Sequence, residues 1–224
     1  MNLDHQKTLY ESFQFSYQTG GDLWSHFDIH DELLKNLPTI RKNSFILDLG
    51  SGRGFWLQKL AENGYKVIGT EVIDSVVEFA NKNLINLKLG DSAKVIKADA
   101  RHIPFHDHSF ELITDILCTT HFDQETLHDV SNQINKKLKK NGYYLNVSFS
   151  RETPRYLDFL PKIENKGQYQ KYGIDYYFYT DQEIINTYSF LKPVKQFHIK
   201  VKPPTDPLDE LVLVASIFKK NSHL

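Results

Sequence analysis

Along the chain of 224 residues, short apolar runs alternate with longer stretches in which apolar residues recur every three or four positions. The first pattern is that of buried strands, the second that of helices with one face on a core. The runs predict strands over 45–49, 66–70, 94–98, 110–116 and 143–149. Helical stripes fall between them. The clearest covers Asp123 to Lys140, where Leu127, Val130, Ile134 and Leu138 share a face, Asp123 supplies the cap and Asn141-Gly142 the stop. Lys136, Lys137, Lys139 and Lys140 read as a solvated face that complements the helix dipole. Such alternation predicts a doubly wound α/β fold, a mostly parallel sheet with helices on both faces. Beyond the capping box Thr180-Asp-Gln-Glu183 come two more apolar runs, 194–201 and 209–218, separated by Pro203-Pro204-Thr-Asp-Pro207. That link is too short for a crossover helix, so a C-terminal antiparallel hairpin is expected.

Two pieces lie outside this alternation. Residues 1–37 read as a helical cap carrying Tyr10, Phe13, Phe15, Tyr17, Trp24 and Phe27. Residues 150–179 carry Tyr156, Phe159, Tyr169, Tyr172, Tyr176, Tyr177, Phe178 and Tyr179 among prolines, glycines and charges. Aromatic density argues against disorder, so the second piece is expected to be an insert folded as a lid, and the two together to wall an acceptor pocket. The length suits one domain with such decorations, 1–224.

Lys and Arg total 27 against 28 Asp and Glu, a formal charge of -1, so no global field draws the chain to nucleic acid or to an anionic membrane. No apolar run approaches the ~20 residues needed to span a bilayer, and the N-terminus lacks the apolar core of a signal peptide. The single cysteine, Cys118, excludes an intrachain disulfide. Cytoplasm is the expected compartment.

Four acids sit just past predicted strands: Asp48, Glu71, Asp99 and Asp115. In a parallel sheet they gather along one rim, where an open α/β sheet binds its ligand. Between the first two runs Gly50-Ser51-Gly52-Arg53-Gly54, a turn that lets backbone approach a bound molecule. Any one of the acids can be an ordinary helix cap, but all four in register with the glycine turn make one site. A glycine-lined acidic rim suits a nucleoside with hydroxyls, amines and positive charge, such as S-adenosylmethionine. It does not suit a dinucleotide pyrophosphate, and Phe55 stands where the dinucleotide fingerprint has its third glycine or alanine.

These residues resemble the class I S-adenosylmethionine-dependent methyltransferases, a seven-stranded Rossmann-like family, and its small bacterial single-domain members in particular. The resemblance rests on Ile46-Leu-Asp-Leu-Gly-Ser-Gly-Arg-Gly54, on Glu71, on Asp99-Ala100 and on Ile103-Pro-Phe-His-Asp-His-Ser-Phe-Glu-Leu-Ile113. It extends through Tyr177-Phe-Tyr-Thr-Asp-Gln-Glu onward and covers roughly residues 30–220 in order. It implies that Asp48 holds the cofactor's amino group and Gly50, Ser51, Gly52 and Gly54 line its approach. Glu71 would take both ribose hydroxyls, Val72 and Ile73 flank the adenine, and Asp99 with the Ala100 amide read its edge. Asp115, or backbone beside it, would lie near the methionine end.

Methyl transfer is an in-line displacement that asks for alignment, exclusion of water and, for some acceptors, a base. His121 ranks first as that base, because Cys118-Thr-Thr-His121 follows the fourth strand; otherwise it is a polar residue at a strand-helix junction. Cys118 reads as a small buried residue, and Asp74 as a helix cap. His102, His106 and His108, and His26 and His30 near Asp22 and Asp31, offer no four-ligand zinc set, and no metal is expected. The leading reading is methylation of a small-molecule O, N or S nucleophile, with phenols and amines equally open. Methylation of RNA or a protein side chain is one rival, a non-catalytic S-adenosylmethionine-binding module another.

Overall fold

The computed structural model describes the backbone of residues 3–20, 22, 25, 27–154, 168–171, 174–202 and 210–221, with side chains described for all of these but 3–9 and 168–171. Trp24, His26, Tyr156, Phe159, Tyr172 and the turn 203–207 therefore lie outside the described residues, as does the side chain of Tyr169.

The predicted alternation is present. Strands β1 (Phe45–Leu49), β2 (Lys66–Glu71), β3 (Ala93–Lys97), β4 (Phe110–Ile116) and β5 (Leu138–Ser150) pair in parallel, in spatial order β3-β2-β1-β4-β5. Between them run α3 (Phe55–Glu62), α4 (Asp74–Asn86) and α5 (Gln124–Lys137), preceded by α1 (Leu3–Thr19) and α2 (His30–Asn36). After α6 (Asp181–Thr187), which opens with the expected capping box, come β8 (Lys192–Val201) and β9 (Leu211–Lys219). They pair antiparallel with each other, and β9 also pairs antiparallel with β5. These seven strands, five parallel and two antiparallel, belong to a sheet of nine. A hairpin of β6 (Gln168–Lys171) and β7 (Ile174–Tyr179) completes it, β7 running parallel to the end of β5 through Phe149 with Phe178 and Ser150 with Tyr179.

Both faces are covered by apolar side chains, as the apolar strands require. Ile46, Leu57, Leu60, Leu84 and Leu213 pack on one side, and Leu47, Leu49, Val130, Ile134 and Tyr144 on the other.

The helix expected to run to Lys140 ends at Lys137. Leu138 turns extended (φ -67°, ψ 135°) and is fully buried opposite Phe110, so its side chain joins the core as the first residue of β5. Asn141, at φ 61°, and Gly142 then form a bulge, after which the ladder resumes with Tyr143 beside Leu112. Asp123 caps α5 as expected, accepting from the Thr126 amide at 2.8 Å. Asp74 does not cap α4; its carboxylate pairs with Lys97 at 2.6 Å, and Glu71 takes the amides entering that helix. Among the described residues no helix is long and apolar enough to cross a membrane.

Candidate functional site

Strand order reverses at β1, which has β2 on one side and β4 on the other, so the rim above it is the crevice where an open sheet binds ligand. The chain leaves β1 through Gly50 (φ 62°) and Gly52 (φ 52°). A Cβ on Gly50 would stand 2.6 Å from Cys118 Sγ, and one on Gly52 would stand 2.9 Å from the Tyr17 hydroxyl. Only glycine fits this turn, wedged between the loop after β4 and the N-terminal helix.

Glu71 is buried and gathers backbone donors: Gly52 N–H to Oε2 at 3.1 Å, and Val72 and Ile73 N–H to Oε1 at 2.7 and 2.9 Å. Burial pushes its carboxyl above the ordinary range, and these three amides oppose the rise. Asp48 is more deprived. It too is buried, accepts from Thr114 Oγ1 at 2.6 Å, and is pushed up to about 8 by burial, with Asp115 and Glu71 adding repulsion. A bound cation would relieve it.

Asp99 is held by Arg101, whose backbone N–H donates at 2.8 Å and whose guanidinium forks onto both carboxylate oxygens. Burial works against its ionisation, but those bonds outweigh it and hold the carboxyl below its ordinary range. Asp115 is turned under the loop after β4. It is fully buried and receives the amides of Cys118 and Thr119 at 3.0 and 3.1 Å, the Tyr144 hydroxyl at 2.8 Å, Asn146 Nδ2 at 3.1 Å and the Thr119 hydroxyl. Its carboxylate organises the turn that carries His121.

His121 ends a short 3-10 turn, Thr119–His121, which is stitched to β7. Thr120 Oγ1 donates to the Tyr177 carbonyl at 2.8 Å, and His121 Nδ1 lies 2.7 Å from the Asp175 carbonyl. A carbonyl only accepts, so Nδ1 carries the proton and Nε2 is the acceptor nitrogen. The ring meets Phe13 and Tyr176 edge-on, with centroids 5.1 and 4.9 Å away. Burial drives its pKa down to about 4, so the imidazole is neutral at physiological pH. The Cys118 thiol is raised well above its usual range by burial and the surrounding carboxylates, which makes it a poor nucleophile.

The outer wall comes from α1. Arg53, within the glycine turn, donates to buried Asp22 at 2.7 and 3.2 Å and to the Tyr17 carbonyl at 3.0 Å, and its guanidinium lies against the rings of Tyr17 and Phe79. The helix is thereby tied down over the rim. Beneath it lies a cavity of about 120 Å³ whose lining includes Gly50, Glu71, Val72, Asp99, Ala100 and His121, with Tyr10, Phe13 and Tyr17 above. A smaller cavity of about 50 Å³ adjoins it under the glycine turn, bordered by Asp48, Gly50, Ser51, Gly52, His30 and Trp56. Gly54, Ile73 and Asp115 line neither. Ile73 contributes its amide to Glu71, and Gly54 (φ 79°) starts α3. Sequence reasoning missed Arg53, Arg101 and Thr114. Their only sequence signal was closeness to the glycines and strand-end acids. Among the described residues no group of three His, Cys, Asp or Glu side chains is placed to hold a metal ion.

Comparison with known proteins fits this geometry. The family described as "Methyltransferase domain" matches residues 46–142. A sterol 4-C-methyltransferase of Caenorhabditis elegans is 26% identical over 52% of this chain and 34% of its own length. A ubiquinone/menaquinone biosynthesis C-methyltransferase of Rickettsia prowazekii is 29% identical over 54% of this chain and 50% of its own length. The chain thus spans half or less of the length of these two curated relatives. Among solved structures, an S-adenosylmethionine-dependent methyltransferase of Methanosarcina mazei superposes with a TM-score of 0.73 at 19% identity, covering 84% of this chain and 97% of that one. A 1,6-didemethyltoxoflavin-N1-methyltransferase of Burkholderia thailandensis, solved with that substrate and S-adenosylhomocysteine, gives 0.73 at 16% identity, over 97% and 89%. The matched segment opens in β1, carries the glycine turn and all four strand-end acids, and includes the loop that ends in His121. Residues 46–142 thus match the methyltransferase-domain family, and the fold is that of the class I S-adenosylmethionine-dependent methyltransferases.

Proposed function

We propose that the chain transfers the methyl group of S-adenosylmethionine to a small, largely apolar acceptor by in-line displacement. The observation that carries this reading is the cavity joining Glu71 and Asp99 to an aromatic wall, with a neutral, buried His121 between them. An ionised carboxylate offers about four acceptor sites, so Glu71, with three amides already on it, keeps room for a ribose hydroxyl on Oε2. Val72 walls the adenine, the Ala100 amide and Asp99 meet its edge, and Asp48 takes the cofactor's ammonium. Asp115 shapes the turn of residues 118–121 and makes no cofactor contact of its own.

Tyr10, Phe13, Tyr17 and Phe122 make the rest of the cavity apolar, which suits a flat or greasy acceptor whose one polar group reaches His121. Relatives named for methylating sterol and quinone carbon, and a structural neighbour bound to a flat heterocycle, support that size and polarity. The compartment proposed is the cytoplasm, tested by cell fractionation.

The deciding experiment is methyl transfer from labelled cofactor to a panel of phenols, quinols, thiols and amines, run beside total tRNA and lysate protein. Turnover confined to small molecules is the expected outcome. Label in tRNA or protein would replace this reading with its macromolecular rival, and tight cofactor binding with no turnover anywhere would leave a binding module. Calorimetry should show heat with S-adenosylmethionine and S-adenosylhomocysteine and none with NAD.

A further inference from the structure

The small cavity under the glycine turn shares Gly50 and Ile116 with the larger one, so a ligand lying across Gly50 has one end in each. Asp48, the buried carboxylate that lacks a cation partner, borders it. Opposite the turn stands His30, the first residue of α2, stacked on Trp56 with ring centroids 5.7 Å apart and planes 25° from parallel. Neither nitrogen of this ring has a hydrogen-bond partner among the described residues. The ring is stacked on Trp56 and borders the cavity with its hydrogen-bonding capacity unspent. His30 precedes the segment that matches the family, so its role does not follow from that match.

A cavity bordered by a lone carboxylate and an unmatched imidazole has the polarity of a zwitterion's receptor. We propose that His30 donates a hydrogen bond to the carboxylate of an α-amino acid group whose ammonium sits on Asp48. This rests on the S-adenosylmethionine reading and adds the residue that recognises the amino-acid end. Of the turn's own donors, the Ser51 amide and hydroxyl are taken by the Thr70 carbonyl and the Gly52 amide by Glu71, which leaves the imidazole as the donor to be matched. Empty, the ring is kept neutral chiefly by burial, opposed by Asp28 and Asp31 and aided by Lys59, which Asp31 pairs. A carboxylate seated against it favours the imidazolium and so strengthens the bond.

The test compares two ligands that share a nucleoside and thioether sulfur: S-adenosylhomocysteine, which has the amino-acid end, and 5′-methylthioadenosine, which does not. Binding of each is measured by calorimetry to the wild type, to His30→Ala and to His30→Phe, the last keeping the stack on Trp56 without a donor. Both variants should bind S-adenosylhomocysteine about tenfold to a hundredfold more weakly, the range of a charged hydrogen bond, and 5′-methylthioadenosine with unchanged affinity. Wild-type affinity of His30→Phe for S-adenosylhomocysteine overturns the proposal, as does an equal loss for both ligands, which would make His30 a packing residue. If the wild type binds neither ligand, the cofactor reading itself fails first.

Discussion

Thr114 Oγ1 donates to Asp48 Oδ1 at 2.6 Å across neighbouring strands, and no other donor among the described residues reaches that carboxylate. The same hydroxyl oxygen accepts from Trp56 Nε1 at 3.3 Å, which orients its proton toward Asp48. One neutral hydrogen bond is thin compensation for a buried charge, which is why the carboxyl is pushed up to about 8.

A proton should therefore leave when the cofactor binds. Near pH 7 the empty site holds Asp48 largely protonated, and an incoming ammonium favours the carboxylate, so binding should release up to about one proton per ligand. Calorimetry in buffers of different ionisation enthalpy reads that number as a slope, and Asp48→Asn should abolish it. A flat response in the wild type would take the ammonium away from Asp48. The stability linkage has a definite sign as well. The folded carboxyl titrates at about 8 and the unfolded one near 3.9, so its contribution is fully present below about pH 4 and lost as pH rises through about 8. Ligand-free wild type should then lose melting temperature relative to Asp48→Asn over that range.

Glu71 does two jobs, and its removal should show both. Glu71→Ala should weaken cofactor binding by roughly 1.5 to 3 kcal/mol, the scale of charged hydrogen bonds. It also strips partners from the amides of Gly52, Val72 and Ile73, so the melting temperature should fall too. Unchanged affinity in a folded Glu71→Ala protein would move the ribose elsewhere.

The contrast between Glu71 and Asp115 marks what the sequence could tell. Both end parallel strands, and apolar runs with strand-end acids are local signals, so the rim, the glycine turn and the order of the motifs were legible. Which way each carboxylate turns was not. Asp115 is claimed by Tyr144 and Asn146 from the next strand and by the amides of its own turn, a choice made by packing. Arg101 on Asp99 and Arg53 on Asp22 are likewise pairings that spacing does not predict. The end of α5 was misread for a related reason: Lys-Lys-Asn-Gly has the chemistry of a helix stop, yet burial of Leu138 against Phe110 ends the helix earlier and leaves Asn141-Gly142 to make a bulge.

His121→Ala should slow methyl transfer about tenfold to a hundredfold while leaving cofactor affinity nearly unchanged. With a pKa of about 4 the ring is already neutral, so the wild-type rate should show no His121 inflection between about pH 6 and 8. Its linkage runs opposite to that of Asp48: the folded pKa lies below the unfolded value near 6.5, so stability is full above about 6.5 and is lost as pH falls toward 4. Removing the ring should flatten that acid limb. A rate that ignores the substitution would leave proximity as the whole mechanism.

The last prediction concerns the segment 150–179 proposed as a lid. Its described end, β7, pairs with β5, and Phe178 and Tyr179 are buried, while Tyr176 sets its edge against His121. Anchored at that end, the segment bears on the acceptor side through the Tyr176 contact. Hydrogen exchange should be slow through 174–179 with and without ligand, because that strand pairs with β5. Tyr176→Ala should alter acceptor selectivity and leave cofactor affinity nearly intact, because the ring packs on His121 and Phe149. Fast exchange through 174–179 would undo that anchor, and if Tyr176→Ala unfolds the protein, that ring is part of the core and the gate lies in α1 instead, whose Tyr17 carbonyl Arg53 holds.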